Sequence, residues 1–351
     1  MRLQRLGMAA ALVAGCAACL PRLEDPPLTV SGEAPVGWSP GKPSAVGGGD
    51  AGAGADASAA VAPTKCSGTM GTVPTPQQPT LRPCAVVNVV TAGLTAQQLT
   101  TLSLTTSIAN LTVSKSSDFS ALKSLVQVET LTLANWNEAT AHIPDTVNVT
   151  ASVSVSGQMT SLTGGGGIKT LNGTLSVYPA PKLKTLLAFQ NLYAADLVTI
   201  RGCPLLADMN TFKQLQNLNA FKLMDVNVPS IKQPTLNVAK LASIELANNP
   251  NLPGFFLFNT LNQVGTLVIQ GNGTLSQFWF KQLQSIDTLH VAGNPNVASL
   301  DDLGQFVQVK QQLTVCDTAL SGSKLEAWRQ AHAPNLQFTK CKNGCTGAEC
   351  P

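Results

Sequence analysis

Short runs of the form apolar–x–apolar punctuate the chain from Leu111 onward. The first five are Leu111-Thr112-Val113, Leu131-Thr132-Leu133, Val153-Ser154-Val155, Leu175-Ser176-Val177 and Val198-Thr199-Ile200. They continue as Phe221-Lys222-Leu223, Ile244-Glu245-Leu246, Leu267-Val268-Ile269, Leu289-His290-Val291 and Leu313-Thr314-Val315. The second apolar residue advances by 20, 22, 22, 23, 23, 23, 23, 22 and 24 positions. Within each run the flanking side chains turn to one face and the central one to the other. A strand this narrow cannot close a core alone, but copies stacked in parallel about 4.8 Å apart can. The pattern predicts a mainly β chain: a parallel β-solenoid of ten rungs, with Phe221 and Leu223 inside and Lys222 outside.

Two further columns keep the same register. Eleven residues before the reference position stand Phe189, Phe212, Phe258 and Phe280, which stacked rung on rung would form an aromatic spine on a second face. Three residues after it come Cys203, Asn249, Asn272 and Asn294, where a buried Asn would satisfy backbone groups of neighbouring rungs. Cys203 therefore reads as a buried structural thiol and not a nucleophile. After the last run, SGSKLEAWRQAH has helical spacing through Leu325 and Trp328 and is expected to cap the open end.

The rungs LASIELANNPNL, VGTLVIQGNGTL and IDTLHVAGNPNV resemble the leucine-rich-repeat consensus. The longer units AFQNLYAADLVTIRGCPLL and WFKQLQSIDTLHVAGNPNV are similar to the receptor L-domain family, most clearly over residues 173–318. The resemblance implies a right-handed β-helix and a ligand-binding or structural module without catalysis. Rungs before Val155 lack the Phe and Asn columns.

Composition suits an extracellular β-rich protein better than a cytosolic enzyme. Charged residues make up 12% of the 351, about half the usual share, so Ser, Thr, Asn and Gln stud the outward positions. The formal charge is +3, and +1 without Arg2 and Arg5. That offers no basic footprint for nucleic acid. Nine cysteines gather toward the ends: Cys16 and Cys19, Cys66 and Cys84, Cys203, then Cys316, Cys341, Cys345 and Cys350. No C-x-x-C knuckle favours zinc, so disulfide staples at the two ends are expected, without metal or cofactor. Cys66 and Cys84 would pair. The last four cysteines allow three pairings, of which Cys316–Cys341 with Cys345–Cys350 is favoured because Cys316 sits on the last strand.

Residues 1–15 read as a leader: basic Arg2 and Arg5, then an apolar stretch from Leu6 to Gly15 too short to span a bilayer. Its end, Val13-Ala14-Gly15-Cys16, resembles the lipobox of bacterial lipoproteins. The resemblance implies that Cys16 is acylated and anchors the chain to a bacterial outer membrane, on its surface or periplasmic side. Residues 16–65, rich in Gly, Ala, Pro and Ser, read as a disordered tether, and residues 66–351 as the solenoid with its cysteine caps.

Two surfaces are candidates for contact with a protein or glycan. Outward positions of the repeat set Tyr178, Arg201, Lys222, Glu245 and His290 on one face. Phe255-Phe256 and Phe278-Trp279 lie 23 apart beside the Phe spine, where not every ring can point inward. Lys222 and Glu245 on adjacent rungs would also form an ordinary exposed ion pair. Catalytic arrangements are missing from the pattern. The one acidic doublet, Asp301-Asp302, reads as a solvated turn, and His142, His290 and His332 have no partner at triad-like spacing. Gly164–Gly167 lacks the Lys-Ser/Thr of a phosphate loop and reads as a flexible turn. The expected role is a lipid-anchored, non-catalytic binding or adhesion module of the cell envelope. The alternatives are a polysaccharide-active β-helix enzyme and a purely structural envelope protein.

Overall fold

The computed structural model describes residues 86–91, 103, 105–206, 210–228, 236–336 and 339–341. The leader, the tether, and Cys16, Cys66, Cys84, Cys345 and Cys350 lie outside the described residues. All ten apolar–x–apolar runs lie in a single parallel sheet of twelve strands. In chain order these are β1 (Val86–Val90), β2 (Ser107–Val113), β3 (Gln127–Trp136), β5 (Asn148–Gly157), β7 (Thr174–Val177) and β9 (Ala194–Arg201). They continue as β10 (Asn217–Met224), β11 (Lys240–Ala247), β13 (Gln263–Gln270), β15 (Ser285–Asn294), β16 (Gln308–Thr318) and β17 (Thr339–Cys341). A second face carries β4 (Thr140–Ile143), β6 (Ser161–Gly164) and β8 (Thr185–Leu186) as one small sheet. It also carries β12 (Gly254–Phe255) paired with β14 (Gln277–Phe278). The protein is a β-solenoid.

Register follows the repeat residue by residue. Val198, Phe221, Ile244, Leu267, Leu289 and Leu313 are successive partners, and so are Ile200, Leu223, Leu246, Ile269, Val291 and Val315. The first of each series is fully buried, while Lys222 and Glu245 between them stay partly exposed. The 20-residue step from β2 to β3 keeps an unbroken register, so the shorter turn is absorbed outside the strands. The 24-residue step into β16 contains a register shift between Ile286 and Thr288, which absorbs one extra residue.

Two corners of the repeat are closed by a backbone hydrogen bond from residue i+3 to residue i, each in at least four of the described turns. At one corner Leu192, Leu215, Leu261 and Leu283 donate to Phe189, Phe212, Phe258 and Phe280. At the other, Leu206, Leu252, Leu275 and Val297 donate to Cys203, Asn249, Asn272 and Asn294. The two columns seen in the sequence are thus the first residues of these turns, and all eight side chains are fully buried.

The Asn column forms a continuous amide ladder. Asn272 Oδ1 accepts from the backbone N–H and the amide of Asn249, at 3.1 and 2.9 Å. Its own Nδ2 donates to Leu246 O and Asn294 Oδ1, at 3.0 and 3.1 Å. The Phe column is buried as expected, but the ring contacts run through Phe255, which the column does not contain. Phe255 lies 5.8 Å from Phe258 and 6.0 Å from Phe280, and Phe221 meets Phe258 edge-on at 5.4 Å.

The glycine run at 164–167 is a built turn and not a flexible one. Gly164 and Gly165 have φ of +78° and +71°, which disfavours any side chain. A Cβ on either would also stand 2.0 Å from Ile143 O or 2.4 Å from Ala188 O, because adjacent rungs pass at backbone contact. Before Val155 the second face departs from the repeat: α1 (Ser116–Ala121) takes the place of a short strand and buries Phe119. Its Asp118, fully buried, accepts a hydrogen bond from Thr91, the residue that replaces the second apolar position at the first rung.

The C-terminal helix forms as expected. α2 (Gly322–His332) starts where Ser321 Oγ accepts from Lys324 N, an N-cap, and buries Leu325 and Trp328. His332 Nδ1 lies 2.9 Å from Val307 O and Gln308 donates to Ala331 O, fixing the helix to the last turn. Glu326 is held down to a pKa of about 2 by its hydrogen bonds from Arg329 and Gln330.

Candidate functional site

The outward face of the long sheet holds all five residues expected there, but not as one open site. The Arg201 guanidinium lies 4.9 Å from the centre of the exposed Tyr178 ring, and its Nε donates to Asp225 at 3.2 Å. Asp225, just after β10 with φ of +54°, was not apparent as its partner. Asp tolerates this left-handed position because its short polar side chain bonds locally. Lys222 Nζ lies 2.9 Å from Glu245 on the next strand, the ion pair that the spacing implies. Both cations are therefore already partnered, and at this exposure each pair contributes less than about 1 kcal/mol. His290 stands apart, separated from Glu245 by Val268 in the register. Burial lowers its pKa, which favours the neutral imidazole.

The aromatic stretches divide between core and surface. Phe255 and Phe278, paired across β12 and β14, are fully buried, while the next residues Phe256 and Trp279 alternate outward and stay partly exposed. The two outward rings lie 5.8 Å apart at 49°. Gly254 makes room for this arrangement: a Cβ there would meet the Phe256 ring at 2.4 Å, so the ring lies down on bare backbone. Lys281 places its ammonium 4.0 Å from the Trp279 ring centre. The sequence signal for that contact was present, since Lys281 is two residues beyond Trp279 and shares its outward side.

On the next turn, Asp301-Asp302 forms a 3-10 helix with Leu303. Asp301 is exposed as expected of a solvated turn, but Asp302 is half-buried. Desolvation raises its pKa, outweighing a backbone hydrogen bond from Phe278. Phe256, Trp279, Lys281 and Asp302 thus combine two rings, a cation and an acid on consecutive turns. Such a surface can stack on a planar or pyranose face and donate hydrogen bonds at its rim.

Cys203 is a free, buried thiol whose Sγ donates to Arg201 O at 3.3 Å. Burial pushes its pKa up to about 12. Among the described residues no three His, Cys, Asp or Glu side chains gather as metal ligands, and no helix is long and apolar enough to cross a membrane. No protein-family model, curated protein or solved structure matches the chain.

Proposed function

We propose that this β-solenoid is a non-catalytic binding or adhesion module of the bacterial cell envelope, held by acyl chains on Cys16. The cross-section is of the receptor L-domain or leucine-rich-repeat kind, with the sequence rhythm of those families as its support. The observation that carries the binding reading is the outward Phe256–Trp279 pair. It stands on a two-stranded sheet whose inner residues are locked in the core. Large rings left partly exposed on a rigid frame can bind without ordering a loop, so little entropy opposes association. With the lipidated full chain immobilised, we expect envelope fragments or whole cells to be retained. The Phe256→Ala/Trp279→Ala double variant should cut retention at least about tenfold, the size of one good aromatic anchor. Undiminished retention by that variant would remove the pair from the site.

Anchoring is tested separately. Blocking the lipoprotein signal peptidase should accumulate the precursor, and Cys16→Ala should abolish labelling by a fatty-acid analogue and release the protein from membranes. Labelling that persists in Cys16→Ala would rule out that residue as the acceptor.

The disulfide staples belong to the same proposal. β16 and β17 set Cys316 in register with Cys341, which supports that pairing over the two alternatives. Peptide mapping should recover a linked Cys316–Cys341 peptide, and a different linkage would reassign the cap. In the same experiment Cys203 should resist alkylation at pH 8 until the chain unfolds, since so high a pKa leaves almost no thiolate. Above the ordinary value of 9.0 the unfolded thiol ionises while the folded one does not, so this group erodes stability as pH rises toward 12.

A further inference from the structure

A second surface differs in chemistry from the aromatic pair. Asn148 and Thr150 at the start of β5 turn outward around the buried Val149. On the next turn Thr170 and Asn172 do the same around the buried Leu171. A backbone hydrogen bond from Asn172 N to Thr150 O, 2.8 Å, holds the two turns together. With Gly167 and Lys169 these residues line an open groove of about 430 Å³, within the usual range for small-ligand sites. Gly167 runs flush against the turn below: a Cβ there would stand 2.5 Å from Val147 O, so that wall is bare backbone.

The turns on either side of the groove each carry a large exposed side chain. Asn148 N donates to Val126 O on one side, and Tyr193 N donates to Lys169 O on the other. Val126 and Tyr193 are 55% and 45% exposed and stand on the turns next to the groove. Lys169 is exposed and makes no ion pair among the described residues, unlike Arg201 and Lys222 on the sheet face.

We propose that this groove binds an acidic saccharide. The inference rests on the binding-module reading and gives it a ligand class. Two primary amides and two hydroxyls each offer donors and acceptors, which match the hydroxyls of a sugar ring. The Tyr193 ring can stack on the apolar face of a pyranose, and Lys169 supplies a single cation for a carboxylate. A peptide would need apolar anchors in pockets, and the groove floor has none. One cation is too few for a phosphate backbone.

The test uses the full chain titrated with oligogalacturonate, mannuronate oligomers and hyaluronan fragments, with maltotriose as the neutral control. Saturable binding is expected for at least one acidic oligomer and not for maltotriose. Asn172→Ala and Lys169→Ala should each weaken it at least about tenfold, the scale of one lost charge-assisted or bidentate contact. Thr170→Arg, which fills the groove, should abolish it. All three positions are exposed, so thermal unfolding should stay unchanged and confirm that the variants fold. Trp279→Ala should leave the titration as it was, which separates this site from the aromatic pair. No binding to any acidic oligomer, equal binding of maltotriose, binding that survives Thr170→Arg, or binding lost in Trp279→Ala overturns the proposal. Loss of cell retention in the aromatic double variant with the titration intact would leave it standing.

Discussion

Replacing Asn272 by Ala is expected to destabilise the solenoid by about 3 kcal/mol or more, although the substitution removes a small side chain and little apolar area. The reason lies in what its amide satisfies. Its Oδ1 takes two N–H groups of Asn249, one from the backbone, and its Nδ2 serves Leu246 O and Asn294 Oδ1. All three Asn residues are fully buried, so no water replaces the lost partner. Two orphaned donors and a weakened carbonyl, at about 1–3 kcal/mol per unsatisfied buried group, give the expected loss. Asn272→Asp is the sharper companion. It keeps an acceptor for Asn249 but sets a carboxylate oxygen against Leu246 O and Asn294 Oδ1. Burial and those acceptors should raise its pKa above the unfolded value. The variant should therefore be closest to wild type at low pH, where the acid is protonated, and lose stability as pH rises through the carboxylate range. Urea unfolding of the full chain at several pH values measures both. If Asn272→Ala unfolds with the wild-type midpoint, the ladder is not supporting the corner.

The strand column was legible because one period fixes three things at once: which residues pair, which face inward, and where the corners fall. Phe221, Lys222 and Leu223 show it, each matched across β9, β10 and β11 as the spacing requires. The two outer strands escaped because their partners are not apolar–x–apolar. At the first rung Thr91 replaces the second apolar residue and is satisfied by Asp118, a contact no local pattern announces. At the last, Lys340 stands opposite Val315. The candidate surface was only half legible. Alternation alone separates Phe255 from Phe256, but it does not tell which pair faces in until Gly254 is seen beneath the Phe256 ring. On the sheet face the residues were placed correctly and their pairing was not, because Asp225 joins Arg201 from a turn conformation outside the strand period. The groove at Asn148 and Asn172 carries no motif. It arises where Gly167 lets two turns meet without a side chain between them.

Phe212→Ala carries the largest expected loss. Phe212 ends a 3-10 turn on the second face and is fully buried, and Leu215 N donates to its carbonyl at the corner. Removing the ring leaves a cavity in the middle of a stack where each turn touches only its neighbours, so the void cannot be refilled from elsewhere. The cost should be about 3–5 kcal/mol. Lys222→Thr on the strand that follows is the control. Lys222 is partly exposed and bonded to Glu245, so its loss should change stability by no more than about 0.5–1 kcal/mol. The two positions belong to the same turn, so the contrast separates inward from outward register and not one region from another. Hydrogen exchange should locate the damage: amides of β9 and β10 should lose protection in Phe212→Ala, with β2 and β16 unaffected. Equal destabilisation by both substitutions would contradict the register. Protection lost uniformly along the sheet would mean that the solenoid unfolds as one unit and not turn by turn.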